Sequence, residues 1–127
     1  MAAGAQILVV EDNEKNMKLF RDVLQATGYR TLEATTGGEA VALAAEHSPD
    51  LVLMDIQLPD IDGIEALGRL RADGRTASLP VLALTAQAME GDRERFLAAG
   101  FDGYLSKPVN IAEFVATVKR YCEGGSR

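Results

Sequence analysis

The sequence has little cysteine and no long apolar run. Cys122 is the single cysteine among 127 residues, which excludes an internal disulfide bond and is consistent with a reducing cytosol. No apolar run approaches the roughly 20 residues of a membrane-spanning helix, and residues 1–5 lack the features of a secretory signal. We therefore predict a cytoplasmic protein with no membrane partner.

Positive charge is also scarce. The chain has 13 basic and 19 acidic residues, a net charge of −6 and no basic cluster. Because nucleic-acid binding depends on basic surfaces that meet phosphates, no nucleic-acid partner is expected. The length fits one globular domain with a sizeable core. We expect a single domain over residues 1–127, with loose ends at residues 1–5 and 123–127.

The central stretch of the chain is a run of four apolar residues, Leu51–Met54, followed by Asp55. A short unbroken apolar run bounded by turn residues is typical of a strand buried on both faces of a parallel sheet. Asp55 then lies at the carboxyl edge of the sheet, where open α/β folds bind ligands. A carboxylate there is costly unless it is paired or bound to a metal. From this stretch alone, a strand-ending or turn-capping role for Asp55 stays open.

Strand patterns and helix patterns alternate five times along the chain. The predicted strands are residues 6–10, 29–34, 51–54, 79–84 and 101–105. A helix is predicted after each strand. The first begins after a cap at residue 12 or 13, and the other four are residues 39–47, 64–72, 92–99 and 111–122. This alternation predicts an α/β fold with a parallel sheet covered by helices on both faces. For five strands we expect the flavodoxin-like order 2-1-3-4-5, which places strands one and three side by side.

Polar side chains collect at the carboxyl edge of this predicted sheet. They are Glu11, Asp12, Asp55, Thr85 and Lys107. Crowded carboxylates repel each other, a divalent cation relieves that repulsion, and a small set of oxygen ligands favours Mg²⁺. Lys107 offers a positive charge and Thr85 a hydroxyl to an anionic oxygen. The set fits phosphoryl transfer with Asp55 as the nucleophile.

On these residues the chain resembles the receiver domain of two-component response regulators over nearly its whole length. The matching motifs are Glu11–Asp12, Met54–Asp55 before Leu58–Pro59 and Gly63, Thr85–Ala86, and Lys107–Pro108. Further stretches are similar to the DivK-type single-domain regulators of bacterial cell division and polarity. They are Glu11–Asp12–Asn13–Glu14, residues 16–20 and 54–59, Ala88–Met89 and Gly91–Asp92.

The resemblance implies roles for the residues at the sheet edge. Asp55 accepts a phosphoryl group from a kinase histidine, and Lys107 and Thr85 bind the phosphoryl oxygens. Tyr104 changes position when Thr85 engages the phosphoryl group, so these two residues form the switch. The Lys107–Pro108 bond matches a bond that is cis in the family. Residues 86–91 show no strong strand or helix pattern, and such segments open most easily, so we predict a moving surface over residues 86–105 and the last helix.

The resemblance also implies a metal site. Asp12, Asp55 and the backbone carbonyl of Gln57 hold Mg²⁺, and Glu11 contacts it directly or through water. On the residues alone, Glu11 and Asp12 also fit helix-start acids that the helix dipole favours, and Thr85 also fits a helix cap. Those interpretations stay open at this point.

A receiver of this kind is a signalling protein that assists its own phosphorylation and dephosphorylation, not a conventional enzyme. Its expected partners are a histidine kinase or a histidine phosphotransfer protein, and a downstream protein that reads the phosphorylated state, in bacterial cell-cycle or division control. Because five residues follow Cys122, we expect output through protein binding or onward transfer of phosphate. The alternatives are a phosphate-shuttle receiver and a receiver excised from a hybrid histidine kinase.

Three other classes fit the residues less well. A phosphatase of the haloacid dehalogenase kind needs a second aspartate two residues after the nucleophile, where this chain has Gln57. A dinucleotide-binding module needs a G-x-G-x-x-G motif after the first strand, where this chain has Glu11–Asp12–Asn13–Glu14. A scaffold that cannot be phosphorylated does not account for the intact acidic set and Lys107.

Overall fold

Five strands and five helices alternate in the computed structural model, which describes residues 4–86 and 92–123. The elements are β1 Gln6–Val10, α1 Glu14–Ala26, β2 Arg30–Ala34, α2 Gly37–His47, β3 Leu51–Asp55, α3 Gly63–Ala72, β4 Val81–Thr85, α4 Asp92–Ala99, β5 Gly103–Ser106 and α5 Ile111–Glu123. Asn13 caps α1, because its side chain accepts a hydrogen bond from the backbone N–H of Asn16 at 3.0 Å. The predicted alternation of strands and helices is confirmed.

The strands form one parallel sheet in the order β2-β1-β3-β4-β5. The register between β1 and β3 pairs Val10 with Met54, so the residues that follow these two meet at the same edge. The register between β4 and β5 pairs Thr85 with Ser106. The flavodoxin-like order expected from the sequence is confirmed, and it brings the carboxyl ends of all five parallel strands to one edge of the sheet.

The two faces of the sheet pack against different helices. Every residue of β3 and of β4 is buried, and alternate side chains point to opposite faces because the side-chain period of a strand is two. Val52 and Met54 pack with residues of α2, α3 and α4. Leu51 and Leu53 pack with residues of α1 and α5. The sheet is therefore covered on both sides, which explains why its central strands are continuous apolar runs.

Some element boundaries differ from the predictions. The strand starts predicted at residues 29, 79 and 101 lie instead at Arg30, Val81 and Gly103. Pro80 has no N–H for a ladder hydrogen bond, so β4 begins after it. Gly100 has a φ of 115° and ends α4, and Phe101 then packs into the core with 3% exposure before β5 begins.

Helix α2 begins at Gly37, two residues before the predicted start. The carboxylate of Asp60 accepts hydrogen bonds from the backbone N–H groups of Gly37 at 2.8 Å and Gly38 at 2.9 Å. Thr36 adds a cap, since its side chain accepts from Glu39 N–H. The N–H groups that helix starts leave unpaired are thus satisfied by a residue from the β3–α3 loop, a contact that local sequence does not reveal.

The opposite, amino edge of the sheet is held by Arg71. Its guanidinium donates to the carbonyls of Leu79 at 2.6 Å and Gly100 at 2.8 Å, and to the Asp102 carboxylate at 3.1 Å. Asp102 in turn accepts from the N–H of Val81 at 2.8 Å. One cation therefore joins the ends of α3 and α4 to the starts of β4 and β5.

The ends of the chain are described only in part. The N–H of Gly4 donates to the carbonyl of Gly28 at 3.1 Å, and the N–H of Arg30 donates to Ala5 at 2.8 Å. The predicted loose ends otherwise fall on residues 1–3 and 124–127, which lie outside the described residues. Within the described ranges, no helix has both the length and the apolar content to cross a membrane.

Candidate functional site

Three carboxylates meet where β1 and β3 end. Asp55 is the last residue of β3, and Glu11 and Asp12 follow β1. Each offers one oxygen within 4.8 Å of the others. Glu11 is 1% exposed and Asp55 is 4% exposed, whereas Asp12 is open to solvent. The structure thus brings together the three side chains that the sequence places at this edge.

Lys107, which follows β5, bridges the two buried carboxylates. Its Nζ lies 2.9 Å from Glu11 Oε1 and 2.9 Å from Asp55 Oδ2. Its backbone N–H donates to the carbonyl of Thr85 at 2.8 Å, and its peptide bond to Pro108 is cis. Because parallel strands end at one edge of the sheet, the sequence predicts that Lys107 lies at this edge. It does not predict that one ammonium contacts both acids.

The electrostatics of the site follow from burial and from this bridge. Burial raises the pKa of Glu11 above its usual value and the nearby Asp55 adds to the rise, while the hydrogen bond from Lys107 opposes it. Burial by itself lowers the pKa of Lys107, but its hydrogen bonds to Glu11 and Asp55 outweigh burial, and the pKa is raised. With three carboxylates and one ammonium, the site has an excess of negative charge.

The Asp55 carboxylate is held at both oxygens. Oδ1 accepts from the backbone N–H of Gln57 at 3.0 Å, and Oδ2 accepts from Lys107. Gly63 closes the loop behind it, with its N–H donating to the carbonyl of Ile56 at 2.8 Å. A Cβ at Gly63 would collide with the Asp55 carbonyl oxygen. The local chain therefore fixes the position of the carboxylate and needs glycine at this place.

Two clefts open beside Asp55. The first, here called the Thr85 cleft, has a volume of about 270 Å³ and is lined by Asp55, Ile56, Gln57, Thr85, Ala86, Arg95 and Lys107. The second, here called the Asp12 cleft, has a volume of about 370 Å³ and is lined by Glu11, Asp12, Asn13, Asn16, Asp55, Gln57, Leu58, Pro59 and Lys107. Asp55, Gln57 and Lys107 belong to both. The acidic side suits a cation, and the side with Thr85, Arg95 and Lys107 suits an anion.

The two predicted switch residues lie on neighbouring strands. Thr85 is the last residue of β4 and is 6% exposed. Tyr104 on β5 pairs in register with Ala83, which precedes Thr85 by two residues. The half-buried ring of Tyr104 lies 6.0 Å from the ring of the fully buried Phe96. Residues 87–91, which belong to the predicted moving surface over residues 86–105, lie outside the described residues.

One residue in the Thr85 cleft, Arg95, was not predicted from the sequence. It lies on α4, where it is one of several charged residues without a distinguishing motif. A signal was available in the topology: a helix that follows a parallel strand begins at the carboxyl edge, so the first half of α4 is near the site.

The chain matches known proteins across almost its whole length. A family model described as response regulator receiver domain matches residues 7–119. The polar-differentiation response regulator DivK of Brucella ovis is 50% identical over 115 residues, which cover 91% of this chain and 94% of that protein. The protein of the same name from Brucella abortus gives the same values.

Solved structures agree in fold. The receiver domain of a sensor histidine kinase from Pseudomonas aeruginosa has 40% identity and a TM-score of 0.87, covering 95% of this chain and 99% of that chain, and it has a magnesium ion coordinated in its active-site cleft. A chemotaxis protein of Vibrio cholerae has 28% identity and a TM-score of 0.87, covering 94% and 99%. With the family model matched over most of its length, this chain belongs to the response regulator receiver domains of two-component systems.

Proposed function

We propose that residues 1–127 form one cytoplasmic receiver domain that accepts a phosphoryl group on Asp55. The observation that carries the proposal is the position of this carboxylate. It is 4% exposed, it lies between an acidic cleft and a cleft with basic residues, and both of its oxygens are held. A nucleophile fixed in this way loses little freedom on reaching the transition state, which favours transfer by positioning.

The acidic side of the site fits a magnesium ion. Glu11, Asp12 and Asp55 supply hard oxygen donors within 4.8 Å of one another, and their charge exceeds that of Lys107. Asp12 and Asp55 would hold Mg²⁺ together with the backbone carbonyl of Gln57, and Glu11 would contact it directly or through water. When bound, the ion neutralises charge on phosphoryl oxygens. The magnesium in the Pseudomonas aeruginosa receiver supports this assignment.

The transfer is a displacement at phosphorus. A carboxylate oxygen of Asp55 attacks the phosphorus of a phosphohistidine, the P–N bond breaks, and its electron pair returns to the imidazole nitrogen, which takes a proton from solvent. The new P–O bond makes an acyl phosphate, and no proton is added to Asp55. Lys107 and the hydroxyl of Thr85 then bind phosphoryl oxygens from the Thr85 cleft.

Incubation with acetyl phosphate and Mg²⁺ tests the acceptor. Intact-mass analysis should show one phosphoryl group on the wild type and none on Asp55→Asn, which should stay folded because the change keeps the shape and removes a repelling charge. Asp73→Asn, a change at an aspartate paired with Arg75 in the loop after α3, serves as the matched control and should be phosphorylated normally. Undiminished phosphate on Asp55→Asn would move the acceptor to another residue.

We further infer that phosphorylation changes which proteins bind. The upstream partner is a histidine kinase or a histidine phosphotransfer protein, and the downstream partner reads the phosphorylated state. The 50% identity to DivK, a polar-differentiation regulator, supports a role in bacterial polarity and cell-cycle control. Phosphotransfer profiling against the histidine kinases and histidine phosphotransfer proteins of the source organism identifies the upstream partner, and we expect one of them to phosphorylate this chain much faster than the others.

The switch is proposed to run from Thr85 to Tyr104. A beryllofluoride mimic with Mg²⁺ should change amide exchange over residues 86–105 and along α5, and Tyr104→Ala should uncouple partner binding from phosphorylation while phosphate uptake continues. Phe101→Leu is the comparison variant, because the ring of Phe101 also packs against Phe96, edge-on. It tests whether the loss of any aromatic ring from this cluster has the same effect as Tyr104→Ala. Exchange that changes only near Asp12 and Asp55 would favour a phosphate-shuttle role.

A further inference from the structure

Arg95 lies on the wall of the Thr85 cleft. It lines the same space of about 270 Å³ as Asp55, Thr85 and Lys107, and its side chain is open to solvent. Its guanidinium carbon lies 4.9 Å from the ring centroid of Phe96, which is fully buried. Because an arginine over an aromatic face is held by cation–π attraction, the ring keeps this cation near the cleft.

The cations at the acceptor do not balance the charge of the phosphorylated site. Lys107 is already hydrogen-bonded to Glu11 and Asp55. On phosphorylation Asp55 loses its charge, but the phosphoryl group brings about −1.5 to −2 charges. Together with Glu11 and Asp12, this exceeds the charge of Lys107 and one Mg²⁺ by roughly one unit. The phosphorylated site therefore favours one more cation in the Thr85 cleft, the side that suits an anion.

We propose that Arg95 is that cation and binds phosphoryl oxygens of the donor and of phosphorylated Asp55 from the Thr85 cleft. The inference rests on the proposed function and adds a binding residue to it. Arginine suits the task because its planar guanidinium presents several N–H donors that match phosphate oxygens two at a time. Lysine at this position keeps the charge but loses the paired geometry.

The test measures the second-order rate constant for phosphorylation by acetyl phosphate with saturating Mg²⁺. Arg95→Gln should lower it about three- to fivefold, the effect expected for one solvent-exposed ion pair. Arg95→Lys should recover part of the loss. Arg69→Gln, which removes the same charge from an exposed pair with Glu65 on α3 at 2.9 Å, should match the wild type. At high salt the deficit of Arg95→Gln should shrink, because exposed charges are screened.

The outcomes separate this inference from the function on which it rests. If the wild type is phosphorylated on Asp55 and Arg95→Gln reacts as fast as Arg69→Gln, the role of Arg95 is refuted and the acceptor stands. If Arg95→Lys is as slow as Arg95→Gln, charge is not the basis of the effect and the inference is equally refuted. If the wild type takes up no phosphoryl group, the proposed function and the role of Arg95 are both wrong.

Discussion

Gly63 lies directly against the backbone at the end of β3. A Cβ there would meet the Asp55 carbonyl oxygen and would lie 2.9 Å from the Ile56 Cα. Both are backbone atoms, so the clash cannot be relieved by a rotamer change. The helix start must therefore move away from the end of β3, and the Asp55 carboxylate moves with it.

We predict that Gly63→Ala lowers the free energy of unfolding by about 1–3 kcal/mol, the usual cost of overpacking, and also lowers the rate of phosphorylation. A Cβ at Gly68, on the same helix, would meet nothing within 4 Å, so Gly68→Ala should raise stability by about 0.5–1 kcal/mol and leave phosphorylation unchanged. Urea unfolding and acetyl phosphate kinetics check both. Equal stability of the two variants would contradict the steric argument.

The residues of the site were predictable to different degrees. Glu11, Asp12, Asp55, Thr85 and Lys107 each end or follow a strand, and the rule that parallel strands end at one edge is enough to place them together. Their hydrogen bonds were not predictable, because the reach of Lys107 to two acids depends on side-chain geometry across three strands. Arg95 was missed because its position depends on how α4 packs, for which its own sequence has no distinctive pattern.

Among the elements, α2 depends on a contact from elsewhere in the chain. The Asp60 carboxylate accepts hydrogen bonds from the first two N–H groups of α2. These bonds lower the pKa of Asp60 from its usual 3.8 to about 2, and the bond from Gly38 has the largest effect. A carboxylate whose pKa is lower in the folded protein stabilises the fold above its unfolded pKa. That stabilisation is lost as the pH falls from about 3.8 towards about 2.

We predict that Asp60→Ala is less stable than the wild type at pH 7 and that the difference narrows as the pH falls below 4. The start of α2 should also exchange its amide protons faster, since two N–H groups lose their acceptor. Denaturant unfolding at several pH values and amide exchange at Gly37 and Gly38 are the measurements. Asp62→Ala removes a cap of α3 instead and should leave the exchange at Gly37 and Gly38 unchanged. A difference that stays constant with pH would argue against the carboxylate as the cause.

Element boundaries show where local patterns are insufficient. Apolar runs predicted the existence of β1, β3 and β4, because a buried parallel strand has a continuous apolar signature. The start of α2 at Gly37 was missed because glycine is a poor helix former and Asp60, which supplies the missing acceptor, lies 23 residues away. The start of β5 was placed too early because Phe101, whose side chain is typical of a strand, packs into the core from the loop before β5.

For the whole molecule, we predict that the proposed binding of Mg²⁺ is coupled to folding. The folded chain gathers three carboxylates within 4.8 Å, and the unfolded chain does not, so Mg²⁺ should bind mainly to the folded state. At a free concentration 100 times the dissociation constant, such binding adds about 2.7 kcal/mol to the free energy of unfolding. Asp12→Asn removes an exposed donor and should lose most of this gain, while its stability without Mg²⁺ should not fall. Urea midpoints in Mg²⁺ and in EDTA test this, and equal shifts in both proteins would refute it.

The long sequence distance between the partners at the carboxyl edge matters while the protein is being made. Lys107 follows Asp55 by 52 residues and Glu11 by 96 residues. At about 5–20 residues per second, a ribosome needs about 3–10 s to add the lysine after the last of the three acids. Throughout that interval the nascent chain contains Glu11, Asp12 and Asp55 but not the ammonium that later bridges two of them. Because the bridge cannot form before Lys107 is made, the part of the chain that is synthesised first cannot complete the site, and the two buried acids gain their bridging ammonium only after β5 has been made.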